Sequence, residues 1–308
     1  MADDTLSVLN PITITDDMFI SSTIAEDDYT AWSGATTYAL GDRAINTTTH
    51  RIYESLQASN TNHDPTDITN TTGSAPWWLD VSPTNKWAMF DTQISTQSYA
   101  DTSFTVVIQP GYFNSVYFAK LEADTIDVDI LDAPGGSSIY SISYTLEGSA
   151  PADYYEYFYD RFKPLTDFLI TDLLQYNDAE ITVTFNTTAG DAKCGAMLLG
   201  DLVPLGTTLY GANAKPKTFS YIKIDEFGNN TIVRRKSAKD MTLDAYLDIE
   251  EATNVLEIIT SLLDVPCLWI AANDINYAGL RVFGLGSAEM TFDDPLLANL
   301  NLNVQGLI

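Results

Sequence analysis

The groups in this chain that could carry chemistry are few and unevenly placed. There are two histidines, His50 and His63, and two cysteines, Cys194 and Cys267, against 42 Asp and Glu in 308 residues. Both histidines lie in polar turn segments of residues 29–91, the stretch that also holds Trp32, Trp77, Trp78 and Trp87, four of the five tryptophans. A histidine acting as a general base needs a nucleophile or a metal beside it. No nucleophile elbow, zinc-protease pattern or Cys–His constellation accompanies these two. The GLGSAEM run at 284–290 lacks the spacing of a phosphate cradle and the helix that would follow it. Paired carboxylates could serve glycoside hydrolysis, and Asp27-Asp28 or Asp293-Asp294 would offer hard oxygen ligands to calcium. With 42 acidic residues such pairs arise anyway, and no loop has EF-hand spacing. Asp127 and Asp129 alternate with Ile126, Val128 and Ile130, which reads as the solvent face of a strand. Each cysteine sits in an apolar context and reads as a small buried hydrophobe rather than half of a disulfide. The expectation is a protein with no catalytic residues, no metal and no cofactor, and not an enzyme.

Binding chemistry is better represented. An indole face can stack on the apolar face of a pyranose while Asn, Asp and Thr bond its hydroxyls. The run 59–74 is a loop by composition and supplies those polar groups. The candidate carbohydrate contacts are Tyr53, Trp77 and Trp78 with Asn60, Asn62 and Asp64. Because residues 29–84 contain almost no long aliphatic run, at least two of Trp32, Trp77 and Trp78 must serve as core. Trp32, Tyr38 and the Gly41-Asp42 turn are assigned to that module core, and Trp87 to the domain that follows.

The elements that must position these residues follow from composition and periodicity. The length suggests about two domains with a core that needs no covalent staples. A net charge of −27 and a pI near 4.1 argue against nucleic acid and anionic membrane surfaces as partners, since both are bound through Lys and Arg. No run approaches the ~20 apolar residues of a membrane span. The N-terminus MADDTLSVLN has neither a basic nor an apolar signal region, which predicts synthesis in a cytoplasm.

Along the chain, residues 1–28 read as an arm lying on another surface, either of this chain or of a neighbouring subunit. Residues 29–84 form the aromatic module, with a hairpin across Ala44-Ile45 and 51–56. Residues 85–210 read as an antiparallel, jelly-roll-like β-sandwich, from β-branched or aromatic runs at 103–108, 116–119, 126–131, 139–146, 181–185 and 194–199. The stretch 153–174, beginning DYYEYFYDRF, fits either helix or strand. Residues 211–308 read as an α+β domain. It has a hairpin around Asp225-Glu-Phe-Gly-Asn and strands at 241–249, 268–271, 280–284 and 298–304. An amphipathic helix over 250–264 buries Ala252, Val255, Leu256, Ile259, Leu262 and Leu263, and Leu307-Ile308 is expected to dock. The fold class is mainly β with an α+β C-terminal part.

Two resemblances add to this reading. Trp32, Tyr38, Gly41-Asp42, Ile45, Ile52-Tyr53, Pro65 and Trp77-Trp78 make residues 29–84 similar to the small chitin-binding-type carbohydrate-binding module. Members of that family place a tryptophan after the strand equivalent to Tyr53, where this chain has LQASNTNHDP, so the resemblance implies the shape more than the ligand. Over most of the chain, DDMFISSTIAEDDYTAW, HRIYESLQASN, WWLDVSPTNKWAMFD and the ending LNLNVQGLI resemble tailed-bacteriophage and prophage minor tail and tail-tip proteins. This resemblance implies a structural virion component near the tail tip or baseplate. It would be present in several copies as a homo-oligomer in contact with other tail proteins. An adsorption protein binding a host-surface glycan is the alternative, and a glycan depolymerase is a distant third.

Overall fold

In the computed structural model, residues 4–146, 154–159, 164–224, 226–292 and 294–307 are described. The chain is mainly β, built from antiparallel sheets with one helix of length. The largest sheet has nine strands. In spatial order they are Asp167–Ile170, Ser115–Ala119, Ala196–Thr208, Thr5–Pro11, Cys267–Ile270, Arg281–Thr291, Leu297–Gly306, Ser237–Asp248 and Asn213–Thr218. A five-stranded sheet runs Ser138–Thr145, Thr125–Leu131, Glu180–Cys194, Ser98–Ile108 and Phe19–Ser22.

The five-stranded sheet packs on one end of the large sheet. Strand alternation turns Phe104, Val106, Ile126, Val128, Val183 and Phe185 toward Val116, Phe118, Met197 and Leu199, which makes the expected sandwich core. The chain changes sheets at Gly195, where a Cβ would lie 2.7 Å from the Ile94 carbonyl and 2.8 Å from the Lys120 Cβ; only glycine fits this corner. At its other end the large sheet pairs back on itself, Thr207 with Tyr246 and Thr208 with Ala245. The inner faces of those strands and the helix Ile249–Ser261 enclose a second core around Leu243, Leu300, Leu302 and Trp269. The helix buries Ala252, Val255 and Ile259, followed by Leu262, but Leu256 and Leu263 are exposed, so its apolar stripe is narrower than expected.

Two organisational expectations change. The N-terminal residues are not a peripheral arm: Thr5–Pro11 is a central strand between Ala196–Thr208 and Cys267–Ile270. Its Leu6 and Val8 enter one core while Leu9 enters another. The division at 210/211 falls within one continuous sheet, so the sandwich and the C-terminal part share strands rather than forming separate bodies. In the ambiguous stretch, Tyr154–Tyr159 is a short helix and Asp167–Ile170 a strand; residues 153 and 160–163 lie outside the described residues, as do Asp225, Asp293 and Ile308. Leu307 does pack against the core, and its amide donates to the Phe283 carbonyl at 3.0 Å. Asp127 and Asp129 lie on the outer face of the five-stranded sheet, where Ser143 and Asn186 bond Asp127 and Ser138 bonds Asp129.

Candidate functional site

The aromatic module is a three-stranded sheet of Arg43–Asn46, Arg51–Ser55 and Trp78–Pro83 beside a two-stranded pair, Thr37–Tyr38 with Asn60–Thr61. Its core is aromatic, as its composition requires: Tyr38, Ala44, Tyr53 and Trp78 are buried together, with Trp32 and Trp77 packed against them. Tyr38 meets Trp78 edge-on, centroids 5.0 Å apart, and its hydroxyl accepts the Ser33 amide at 2.8 Å. Gly41 adopts φ +86°, and Asp42 accepts the Ala39 amide at 2.7 Å. That turn fixes the hairpin through Gly41 N–H to the Ser55 carbonyl and Ser55 N–H to the Asp42 carbonyl, both 2.8 Å.

Three of the six candidate carbohydrate contacts belong to this core and are corrected. Trp78 is fully buried and its Nε1 donates to the His63 carbonyl at 2.7 Å. Tyr53 is buried because its strand lies in the middle of the three-stranded sheet and is covered on both faces, Ile52 on one and Tyr53, opposite Ala44, on the other; its hydroxyl pairs with Thr49 at 3.1 Å. Asn60 is buried and spends its amide nitrogen on Ser55 Oγ at 3.0 Å and the Trp77 carbonyl at 3.3 Å, while its oxygen meets His63 Nδ1 at 3.0 Å. The loop 59–74 is therefore an internally bonded cap. It includes one helical turn, Ile68–Thr71, with Asp67 accepting the Thr69 amide at 2.9 Å.

The other three remain near the surface. Trp77 is half-buried with His63 stacked on it. Asn62 is exposed at φ 58°, and a Cβ on Gly34 would lie 2.9 Å from its Oδ1 and 3.6 Å from the Trp32 ring. Asp64 is half-buried and folds back onto Thr66 N and Oγ1 at 2.9 and 2.8 Å. Trp32, assigned to the core, is only half-buried, and its Nε1 is buried without a hydrogen-bond partner among the described residues. What the module offers outward is thus one partly covered indole, the rim of a second, and Asn62.

A cluster that composition did not reveal joins the module to the rest of the chain. His50 stacks on Trp87, centroids 4.1 Å apart and planes at 19°. Its Nδ1 lies 2.9 Å from Glu26 and its Nε2 2.6 Å from Asp16. Thr84 also donates to Glu26, at 2.9 Å. An open cleft of about 320 Å³, lined by residues including Thr49, His50, Trp87 and Phe90, lies here. Asp16, Glu26, His50 and Trp87 come from separate segments, so no local spacing could announce them.

The remaining chemical motifs are structural. Gly284 and Gly286 of GLGSAEM lie in a strand, and a methyl at 286 would collide with the Trp269 ring. Both cysteines are free and buried, and burial pushes each thiol up, Cys267 to about 12. Arg281, Asp167 and Lys239 form a largely buried charge group: Arg281 lies 3.8 Å from Asp167, whose carboxyl burial pushes up, while burial pushes the Lys239 ammonium down. Among the described residues no three His, Cys, Asp or Glu side chains converge as a metal site, and no helix is long and apolar enough to cross a membrane.

A different kind of surface stands at 219–235. Among the described residues, Tyr221–Ile224 and Asn230–Val233 pair only with each other, with Ile222 opposite Ile232. Ile222, Ile224 and Ile232 are each more than 60% exposed. An isolated two-stranded ribbon is marginal in water, and isoleucines so exposed are unusual on a soluble surface.

No family model matches the chain, and no curated protein matches it. Among solved structures, the chain is similar to chitosan-binding module 1 of a chitosanase/glucanase from Paenibacillus sp. IK-5, at 10% identity and a TM-score of 0.26, over 37% of this chain and 82% of that one.

Proposed function

We propose that this chain is a structural, assembly-forming component of a phage virion, in the tail tip or baseplate region, with residues 29–84 carried as an outward module. The observation that carries the reading is the 219–235 ribbon. It exposes Ile222, Ile224 and Ile232 on a hairpin that, among the described residues, no other sheet supports, and such a feature gains stability when a neighbouring subunit covers it. The interior supports the same reading. Thr5–Pro11 lies at the centre of the large sheet and ties the front of the chain to its last strands, which suits a part that must bear load as one body. The likeness of the sequence to minor tail and tail-tip proteins supports the location.

Host-glycan adsorption is the alternative and keeps a narrower footing: Trp77, Trp32 and Asn62 at the module surface. The test is composition and labelling of gradient-purified particles. The chain should be found in them in several copies, and antibodies against residues 29–84 should decorate one end of the tail. Its absence from purified particles overturns the reading.

A further inference from the structure

The ribbon also has a charge that the rest of the chain lacks. Residues 219–236 hold four of the fifteen Lys and Arg, Lys223, Arg234, Arg235 and Lys236, against two carboxylates, Asp225 and Glu226. That is a local charge of +2 within a chain of −27, so everything outside this segment carries −29. Strand alternation places Ile222, Ile224 and Ile232 on one face of the ribbon, with Arg234 continuing that face. The other face carries Tyr221 and Lys223, and Arg235 sits over the Tyr221 ring at 4.9 Å. Lys223, Arg234, Arg235 and Lys236 are all exposed. An apolar strip bordered by cations thus stands exposed on a strongly anionic chain, with Lys236 Nζ donating back to Ser95 Oγ at 2.5 Å.

Resting on the assembly reading above, we infer that the 219–235 ribbon of one copy docks on the acidic body of a second copy of the same chain. The two surfaces have opposite charge and belong to one molecule, so the contact is heterologous: ribbon to body, not ribbon to ribbon. Ribbon against ribbon would bring like charges together, which costs free energy. Repeated head to tail, a heterologous contact closes into a ring when its rotation permits. The cations steer and orient the encounter, and the isoleucines supply the area removed from water. The same excess negative charge keeps bodies apart wherever the ribbon is not between them.

The experiment is sedimentation velocity of the full chain at 1–50 µM, with zero-length carbodiimide cross-linking to find the acceptor carboxylates. Wild type should self-associate at 50 mM NaCl and weaken at least tenfold at 500 mM, with cross-links joining Lys223 or Lys236 to Asp or Glu of another copy. Arg234→Glu with Arg235→Glu should weaken association at least tenfold, and Ile222→Ser with Ile232→Ser should abolish it. Both pairs are exposed, and unchanged circular dichroism and Tm will separate lost docking from lost folding. A wild type that stays monomeric throughout, or an oligomer indifferent to both variants, overturns the inference. If the monomeric chain is nevertheless found in purified particles, the virion reading stands and only the self-docking fails.

Discussion

His63 lies flat against Trp77, ring centroids 3.7 Å apart and planes 11° from parallel. The same histidine accepts the Trp78 indole N–H on its backbone carbonyl at 2.7 Å and meets buried Asn60 at 3.0 Å. One residue of the polar loop therefore covers the indole most available to a ligand and anchors the indole that forms the core. This geometry shifts the module from binding site toward structural fixture and separates its two adjacent tryptophans by role.

Adjacent alanine substitutions should report that difference. Trp78→Ala removes a fully buried ring and should cost about 3–5 kcal/mol. Trp77→Ala loses a half-buried ring and its stack, about 1 kcal/mol beyond the area lost. Denaturant titration of both variants decides it, and equal losses would place both indoles in the same environment.

The His50 cluster should act as a clasp between the module and residues 1–28. His50→Ala deletes the stack on Trp87 and leaves Glu26, itself mostly buried, without its ring partner. A cost of about 1.5–3 kcal/mol is expected for the lost bond to that carboxylate, which keeps the Thr84 hydroxyl, together with faster proteolysis between residues 22 and 30. A variant as protease-resistant as wild type would show that the clasp holds nothing.

Two carboxylates should respond to pH with opposite sign. Burial raises Asp91, although Thr96 and the Gln93 amide bond it. Its native form holds the proton more tightly than the unfolded chain, so its contribution is fully present below the unfolded pKa and is lost as pH rises through the folded one. The Tm of wild type minus that of Asp91→Asn should therefore increase from pH 7 to pH 4. Glu122 is lowered, first by its bond to Lys193. Its contribution is present above the unfolded pKa and is lost as pH falls through the folded one, so wild type minus Glu122→Gln should shrink over the same interval. Differences that move the other way, or not at all, contradict these assignments.

The strand glycine at 286 makes room for Trp269, a fully buried ring whose Nε1 donates to the Gly284 carbonyl at 3.2 Å. Gly286→Ala should destabilise by about 1–3 kcal/mol through overpacking, while Gly279→Ala, where nothing lies within 4 Å of the added methyl, should be far milder. Equal melting curves for the two would remove the packing explanation.

Local pattern reached what local physics determines. Alternation found Thr125–Leu131, where Ile126, Val128 and Ile130 are buried. The acidic first turn and 3.6-residue spacing found the helix beginning at Ile249. It could not find pairings set by distant chain, such as Leu9 against both Leu202 and Leu268. That is why a central strand read as an arm. Tyr53 read as exposed because alternation marks no outward side on a strand buried on both faces, as Arg51–Ser55 is at Ile52 and Tyr53. Composition assigned an aromatic core but could not say which tryptophan faced in, since that depends on His63 folding back. The ribbon was legible as a hairpin; that it stands alone, with isoleucines and cations outward, needed the strand pairings.

Electron cryo-microscopy of the intact particle tests the central claim most directly. The account predicts several copies of this chain at the tail tip, each with residues 219–235 buried against the acidic surface of the next copy. Density showing the chain absent from the tail, or present with Ile222 and Ile232 facing solvent, would contradict it.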